Sequence, residues 1–433
     1  MRTTLLSIIM LAACATSAWS QEATPGGVTV VTLDDCRRMA VENNAKVAMA
    51  TRSAEAAQQL KNEAFTKYFP TVQASATHIW SNKPMFHYDV LDLFTIEFLK
   101  GGFGAGITAV QPLFAGGRIY NGNRLAQVGV EASRLERQGA VDDVTLTAEE
   151  YYWQLVTLKS KRHTLESLME MVDTLTRQVG VAVDAGVALR NDLLKVQLRR
   201  NELEMLMVDL DNGISLSSKL LAQYIGLDGQ PIDIPDVKAP GELPPYPGDI
   251  KVDPQSALGG TTGYQLLDAQ VRAADLKTKM AVGNYLPTVG LGAGYFYDDV
   301  FNQKYSFGAL LVNVTVPISD WWGGSHAIKR SRLEAENARD EMRDLSQMLM
   351  LKMDNAWDDL TAAYRKMTVA HSSIEQSREN LRISRNYYDA GVSTITDLLD
   401  AQTLYRQACD NYTDAYGNFC LERARYLNAT AQR

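Results

Sequence analysis

Asp397 and Asp400 are the side chains of this 433-residue chain whose type and spacing best suit chemistry. Residues three apart on a helix share a face, so the two carboxylates would stack in one direction. Repeated by the symmetry of an oligomer, they would make two rings that attract cations at a pore constriction. The same spacing also suits a cap and solvated face at a helix start, where acidic groups stabilise by about 0.3–1 kcal/mol. Other chemistry is thinly represented. No Ser/His/Asp or Cys/His constellation is evident, and Gly116-Gly117 lacks a phosphate-loop pattern. The five histidines, His78, His87, His163, His326 and His371, have no metal-ligand spacing. The chain is expected to be no enzyme and to use neither metal nor cofactor. A net charge of −8 argues against a nucleic-acid partner.

The aspartate pair sits in a motif that occurs twice. Asp184-Ala185-Gly186-Val187, followed by Asp192-Leu193-Leu194, returns 205 residues later as Asp389-Ala390-Gly391-Val392 and Asp397-Leu398-Leu399. Ahead of each copy lie Tyr68-Phe69-Pro70-Thr71-Val72 against Tyr285-Leu286-Pro287-Thr288-Val289, then Gln111-Pro112-Leu113-Phe114-Ala115-Gly116-Gly117 against Val316-Pro317-Ile318 running to Gly323-Gly324. The order implies a duplicated unit. Pro70 to Pro112 spans 42 residues and Pro287 to Pro317 only 30, so the first copy should carry a longer loop.

Each motif is flanked by helical periodicity. Tyr151, Leu155, Leu158, Leu165, Leu168, Val172, Leu175 and Val179 form a 3-4 seam, with Arg162 in one seam position. The seam resumes at Leu193, Val196, Leu203, Met207, Leu210, Ile214 and Leu221, with Arg200 and Ser217 as polar members. A helix from near Asn123 to Asp184 would be about 90 Å long. The second copy repeats it from about His326 to Asp389 and again from Asp397 to Ala429. The motifs are thus expected at the tips of long antiparallel hairpins, with Gly186 and Gly391 supplying left-handed turns.

Between the helices the period changes to two. Thr71 to Trp80, Phe103 to Gln111, Thr288 to Tyr297 and Ser306 to Val316 read as tilted transmembrane strands. Tyr68, Phe69, Tyr285, Trp321 and Trp322 would form one interfacial girdle, and Trp80, Phe86, Tyr88, Tyr295 and Tyr297 the other. Four strands cannot close a barrel, and open edges are not tolerated in lipid. Three copies would share a 12-stranded one. Arg2 and the apolar run Leu5 to Leu11 read as an export signal, cleaved after Ser20 (1–20) or, because Leu11-Ala12-Ala13-Cys14 resembles a lipobox, before Cys14 (1–13). In the second case Cys14 would be lipidated. Cys36, Cys409 and Cys420 are too few for a disulfide scaffold.

Together with Thr32-Leu33-Asp34-Asp35-Cys36, Ala40 and Asn43-Asn44, these motifs resemble the TolC-like outer-membrane efflux proteins over nearly the whole mature chain. The resemblance implies a mixed α and β membrane protein with internal duplication: a homotrimer whose shared β-barrel in the outer-membrane lipid of a Gram-negative bacterium continues as a coiled-coil α-barrel through the periplasm. It implies repeats at 30–226 (β-hairpin 71–111, helical hairpin 123–222) and 264–433 (β-hairpin 288–317, helical hairpin 326–429). Residues 227–263, with seven of the thirteen prolines, would be an equatorial linker. The implied function is the passive exit channel of a tripartite pump, fed by an inner-membrane RND or ABC transporter through a periplasmic adaptor that docks at Val187 and Val392. Asp397 and Asp400 match the family's constriction, and Tyr388 and Asp192 its tip latch. Ser393 departs from an arginine there, with Arg190 and Arg385 nearby. A type I protein-secretion channel and a soluble periplasmic coiled-coil scaffold are the alternatives.

Overall fold

The computed structural model describes residues 28–90, 94–98, 101–236, 242–299 and 304–432; the export signal and Cys14 lie outside them, as do the side chains of residues 86–100 and of Trp321. The first elements are β1 (Thr29–Val30), α1 (Leu33–Asn43) and α2 (Ala45–Thr66). Thr32 and Asp35 close a capping box on α1, and Asn44 both ends α1 and caps α2. Then come β2 (Thr71–Trp80), β3 (Phe86–Val90), β4 (Phe94–Phe98) and β5 (Gly101–Ala115).

The long helices are α3 (Arg118–Asp184, 67 residues) and α7 (Trp321–Asp389, 69 residues), each about 100 Å long at 1.5 Å per residue. No proline interrupts either. Each returns as a 35-residue antiparallel partner, α4 (Arg190–Tyr224) and α8 (Ile395–Ala429). Leu165, Leu168, Val172, Leu175 and Val179 of α3 are buried with Val196 and Leu203 of α4, as the 3-4 spacing requires. The polar seam members bridge the two helices: Arg162 donates to Asp211 and Arg200 to Asp173, both at 2.7 Å. Both pairs are centred between Gly186 and Val187. In the second hairpin the ring pairs Trp357–Tyr426 (5.2 Å), Tyr364–Phe419 (5.7 Å) and His371–Tyr412 (5.3 Å) are centred between Gly391 and Val392. The two hairpin registers are thus displaced by the same 205 residues as the sequence copies.

Between the repeats stand β6 (Ile232–Asp233), α5 (Pro254–Ala257) and α6 (Thr262–Gly283). β6 pairs in parallel with β1, tying the start of the chain to the proline-rich segment. Beneath this junction Val31, Cys36, Ala40 and Val47 pack with Val144, Tyr152, Leu155, Leu221 and Ile225. Burial pushes the Cys36 thiol up to about 12 and the Cys420 thiol up to about 11, so neither forms an appreciable thiolate at neutral pH. The helices lie side by side, in the order α2–α3–α6–α7 toward the sheet and α4–α3–α8–α7 toward the tips. No described helix is long and apolar enough to cross a membrane.

β7 (Thr288–Asp299) and β8 (Tyr305–Thr315) complete one antiparallel sheet in the order β2–β5–β7–β8. Two expectations need correction. The extra residues of the first copy are not a plain loop, because β3 and β4 pair as a hairpin within them. β5 also runs past Gln111 to Ala115, through a register shift between Pro112 and Phe114 that absorbs the missing N–H of Pro112.

Residues directly opposed across an antiparallel ladder share a face. One face carries Val72, Ala74, Ala76 and Trp80, then Phe103, Ala105, Ile107 and Ala109, then Val289, Leu291, Ala293, Tyr295 and Tyr297, then Leu310, Val312 and Val314. The polar residues on this face, His78, Gln111, Asp299 and Ser306, stand among these, with the tyrosine hydroxyls. The other face carries Thr71, Gln73, Ser75, Thr77, Thr108 and Asn313 with glycines 102, 104, 106, 290, 292 and 294. It also carries Ile79, Val110, Leu311 and Tyr305, and Phe296 and Phe307 stack on it at 5.3 Å. The strand alternation is therefore not accidental, which removes the premise of the soluble-scaffold reading.

Candidate functional site

Both hairpin tips turn by the same backbone device. Gly186 and Gly391 adopt φ of +76° and +75°, where a side chain would be strained. Val187 N–H donates to Ala182 C=O and Gly186 N–H to Val183 C=O, each at 2.9 Å. At the second tip Val392 N–H donates to Tyr387 C=O at 3.0 Å and Gly391 N–H to Tyr388 C=O at 2.9 Å. These crossed bonds satisfy the last carbonyls of each long helix and project the next residue outward. Val187 is 80% exposed and Val392 73%.

The return helices start differently. Thr394 caps α8 in a box with Asp397, whose Oδ2 accepts from Thr394 N–H (2.9 Å), Thr394 Oγ1 (2.7 Å) and Ser393 Oγ (2.9 Å). These donors hold the Asp397 carboxyl below the usual carboxylate range, Thr394 contributing most. Asp397 is thus a helix cap, while Asp400 one turn on is exposed. In the first copy Leu189 stands where Thr394 does, and α4 has no side-chain cap. Asp192, the counterpart of Asp397, instead lies 3.9 Å from Lys195 Nζ, and Lys195 is the counterpart of Asp400.

Lys195 is the tip residue that sequence reasoning missed. Its Nζ donates to Thr396 Oγ1 at 3.0 Å, joining α4 to the first turn of α8. The signal was present: a lysine at i+3 from Asp192, facing the same way. Tyr388 is half-buried against the tip core, and burial followed by the nearby Asp192 and Asp389 carboxylates pushes its phenol up. Arg385 lines a small crevice with Asp389, Leu398 and Gln402. Neither Arg385 nor Arg190 makes an ion pair among the described residues. Among those residues no group of His, Cys, Asp and Glu is arranged to hold a metal ion.

Residues 37–227 and 258–425 match the family described as "Outer membrane efflux protein", leaving out most of the proline-rich segment. The outer membrane efflux protein BepC of Brucella suis biovar 1 is 23% identical over 301 residues, 69% of this chain and 65% of BepC. Its match thus spans just under two thirds of that relative's length. Solved structures agree in fold. The outer-membrane channel OprN superposes with a TM-score of 0.78 at 15% identity, covering 92% of this chain and 89% of that one. VceC of Vibrio cholerae gives 0.77 at 15% identity over 92% and 95%. With most of its length matched and an apolar-faced sheet carried on paired helical hairpins, the chain belongs to the outer membrane efflux protein family, the TolC-like channels of the Gram-negative outer membrane.

Proposed function

We propose that three copies of this chain form the passive exit duct of a tripartite efflux pump. The observation that carries this reading is the sheet: one face apolar and exposed (Leu310 is 81% exposed), the other hydroxyl-, amide- and glycine-lined, with β2 and β8 as open edges. An open edge in hydrocarbon costs several kcal/mol per unsatisfied group. Pairing β8 of one copy with β2 of the next removes every edge and places the polar face around a twelve-stranded lumen. The helical layer closes in the same way. α4 keeps a second apolar line, Leu194, Leu198, Met205, Val208 and Leu216, all exposed in the single chain and available to the neighbour's α7.

The tips then converge on the axis as an iris. Asp400, with the free side of Asp397, supplies a carboxylate ring that selects cations. Tyr388, Asp192 and the Lys195–Thr396 bond hold the hairpins of one chain together at rest. A periplasmic adaptor that packs on Val187 and Val392 and binds the open arrangement more tightly would shift the balance toward it. An inner-membrane RND or ABC transporter supplies the energy.

Reconstitution in planar bilayers tests the reading. Small cation-selective steps are expected, with selectivity lost in Asp400→Ala, a substitution that leaves the Asp397 cap intact. A well-folded trimer without conductance, alone or with adaptor, would refute the duct. Pulldown of the transporter from native membranes, with the cargo retained in a deletion strain, separates efflux of small molecules from type I protein secretion.

A further inference from the structure

At the foot of the sheet α2, α3 and α6 line an open cavity of about 960 Å³. Its wall is mostly apolar, including Leu60, Ile119, Leu125, Val128, Ala273 and Met280. Three cations from three elements stand in the same wall: Lys67 at the end of α2, Arg118 at the start of α3 and Lys277 on α6. Glu63 is the one carboxylate among them. Arg118 is oriented by Nε donating to Ala115 C=O (3.2 Å) and Nη1 to Asn284 Oδ1 (3.3 Å). Among the described residues none of the three cations makes an ion pair. An apolar wall with a few convergent polar groups, at this volume, is the form of a small-molecule site.

The strand residues of its wall say which way the cavity opens. The strand residues that line it, Thr71, Pro112 and Ala115, belong to the polar face of the sheet, and Val72, Leu113 and Phe114 are absent from its wall. In the closed duct that face of the sheet lines the lumen, so the cavity opens toward the axis. The occupant must therefore come through the lumen, which excludes a bilayer lipid. Its chemistry follows from the wall: an apolar body for the aliphatic surface and an anionic group for Lys67, Arg118 and Lys277.

We propose that this cavity is a luminal transit site for amphiphilic organic anions at the junction of strands and helices. The proposal rests on the exit-duct reading and narrows its cargo to molecules that pair an apolar body with a carboxylate, sulfonate or phosphate.

The probe is 8-anilinonaphthalene-1-sulfonate, with the uncharged N-phenyl-1-naphthylamine as its control, on the purified trimer in planar bilayers and in nanodiscs. The anion should reduce the current saturably and the neutral analogue should do so far more weakly. Lys67→Gln combined with Lys277→Gln should weaken the block roughly tenfold, the scale of losing two solvent-exposed charge-assisted contacts. Ala273→Trp, which fills the cavity from a half-buried position, should remove the block and the saturable nanodisc fluorescence together. A trimer that conducts but is blocked equally in wild type and variants overturns the site and leaves the duct standing. Saturable fluorescence abolished by Ala273→Trp in a trimer that does not conduct supports the site and overturns the duct.

Discussion

Lys195→Met should loosen the closed iris. Among the described residues the lysine donates from α4 to the first turn of α8, through the 3.0 Å bond to Thr396 Oγ1. Its side chain is 40% exposed, so the bond should contribute at the low end for a charged donor, about 0.5 kcal/mol. A threefold iris that opens in a concerted way breaks three such bonds, about 1.5 kcal/mol in all, which corresponds to roughly a tenfold shift in the closed-to-open ratio. Met keeps the length and apolar stem and removes only the donor. The assay is single-channel open probability of purified trimers at fixed voltage, with Lys195→Arg as the variant that should restore closure. Open probability unchanged within about twofold in Lys195→Met, in a trimer of normal stability, would refute the latch. A change equal in the Arg variant would show that side-chain packing rather than the donor was at issue.

The Asp397 carboxyl is held below its unfolded value, so its capping contribution is full above an unfolded pKa of about 4 and lost only as pH falls through the lower folded value. Reversal potentials should accordingly show the Asp397 share of cation selectivity unchanged from about pH 7 to 5; loss already near pH 6 would contradict the capped geometry. Val187→Glu with Val392→Glu should abolish adaptor capture in a pulldown while trimer yield and conductance persist, because both side chains are exposed and support no core. Arg37→Ala removes the guanidinium that donates to Glu149 Oε1 at 2.8 Å, where the carboxylate is 1% exposed. Arg37 is itself half-exposed, so a loss of about 2 kcal/mol is expected, below the about 3–5 kcal/mol of a fully buried pair. A urea midpoint that does not move would show that the pair contributes nothing net.

Local chemistry was legible in the chain itself. The left-handed turns at Gly186 and Gly391 follow from the residue type needed to end a helix, and the 3-4 seams named Leu165, Val172, Val196 and Leu203 before any coordinates did. The 205-residue shift carried the equivalence of the two hairpins, since each copy folds under the same local rules. What the tertiary structure decided are relations between residues far apart, which no periodicity encodes. The pairing of β5 with β7 joins the two copies in one sheet and sorts apolar from polar onto opposite faces. The spatial order places Lys195 against Thr396, 201 positions away, and gathers Lys67, Arg118 and Lys277 around one cavity. Asp397 shows the boundary between the two: the Asp397 and Asp400 spacing at a helix start permitted a cap or a pore ring, and the direction of the Asp397 carboxylate, set by three donors closing on one oxygen, made it a cap first.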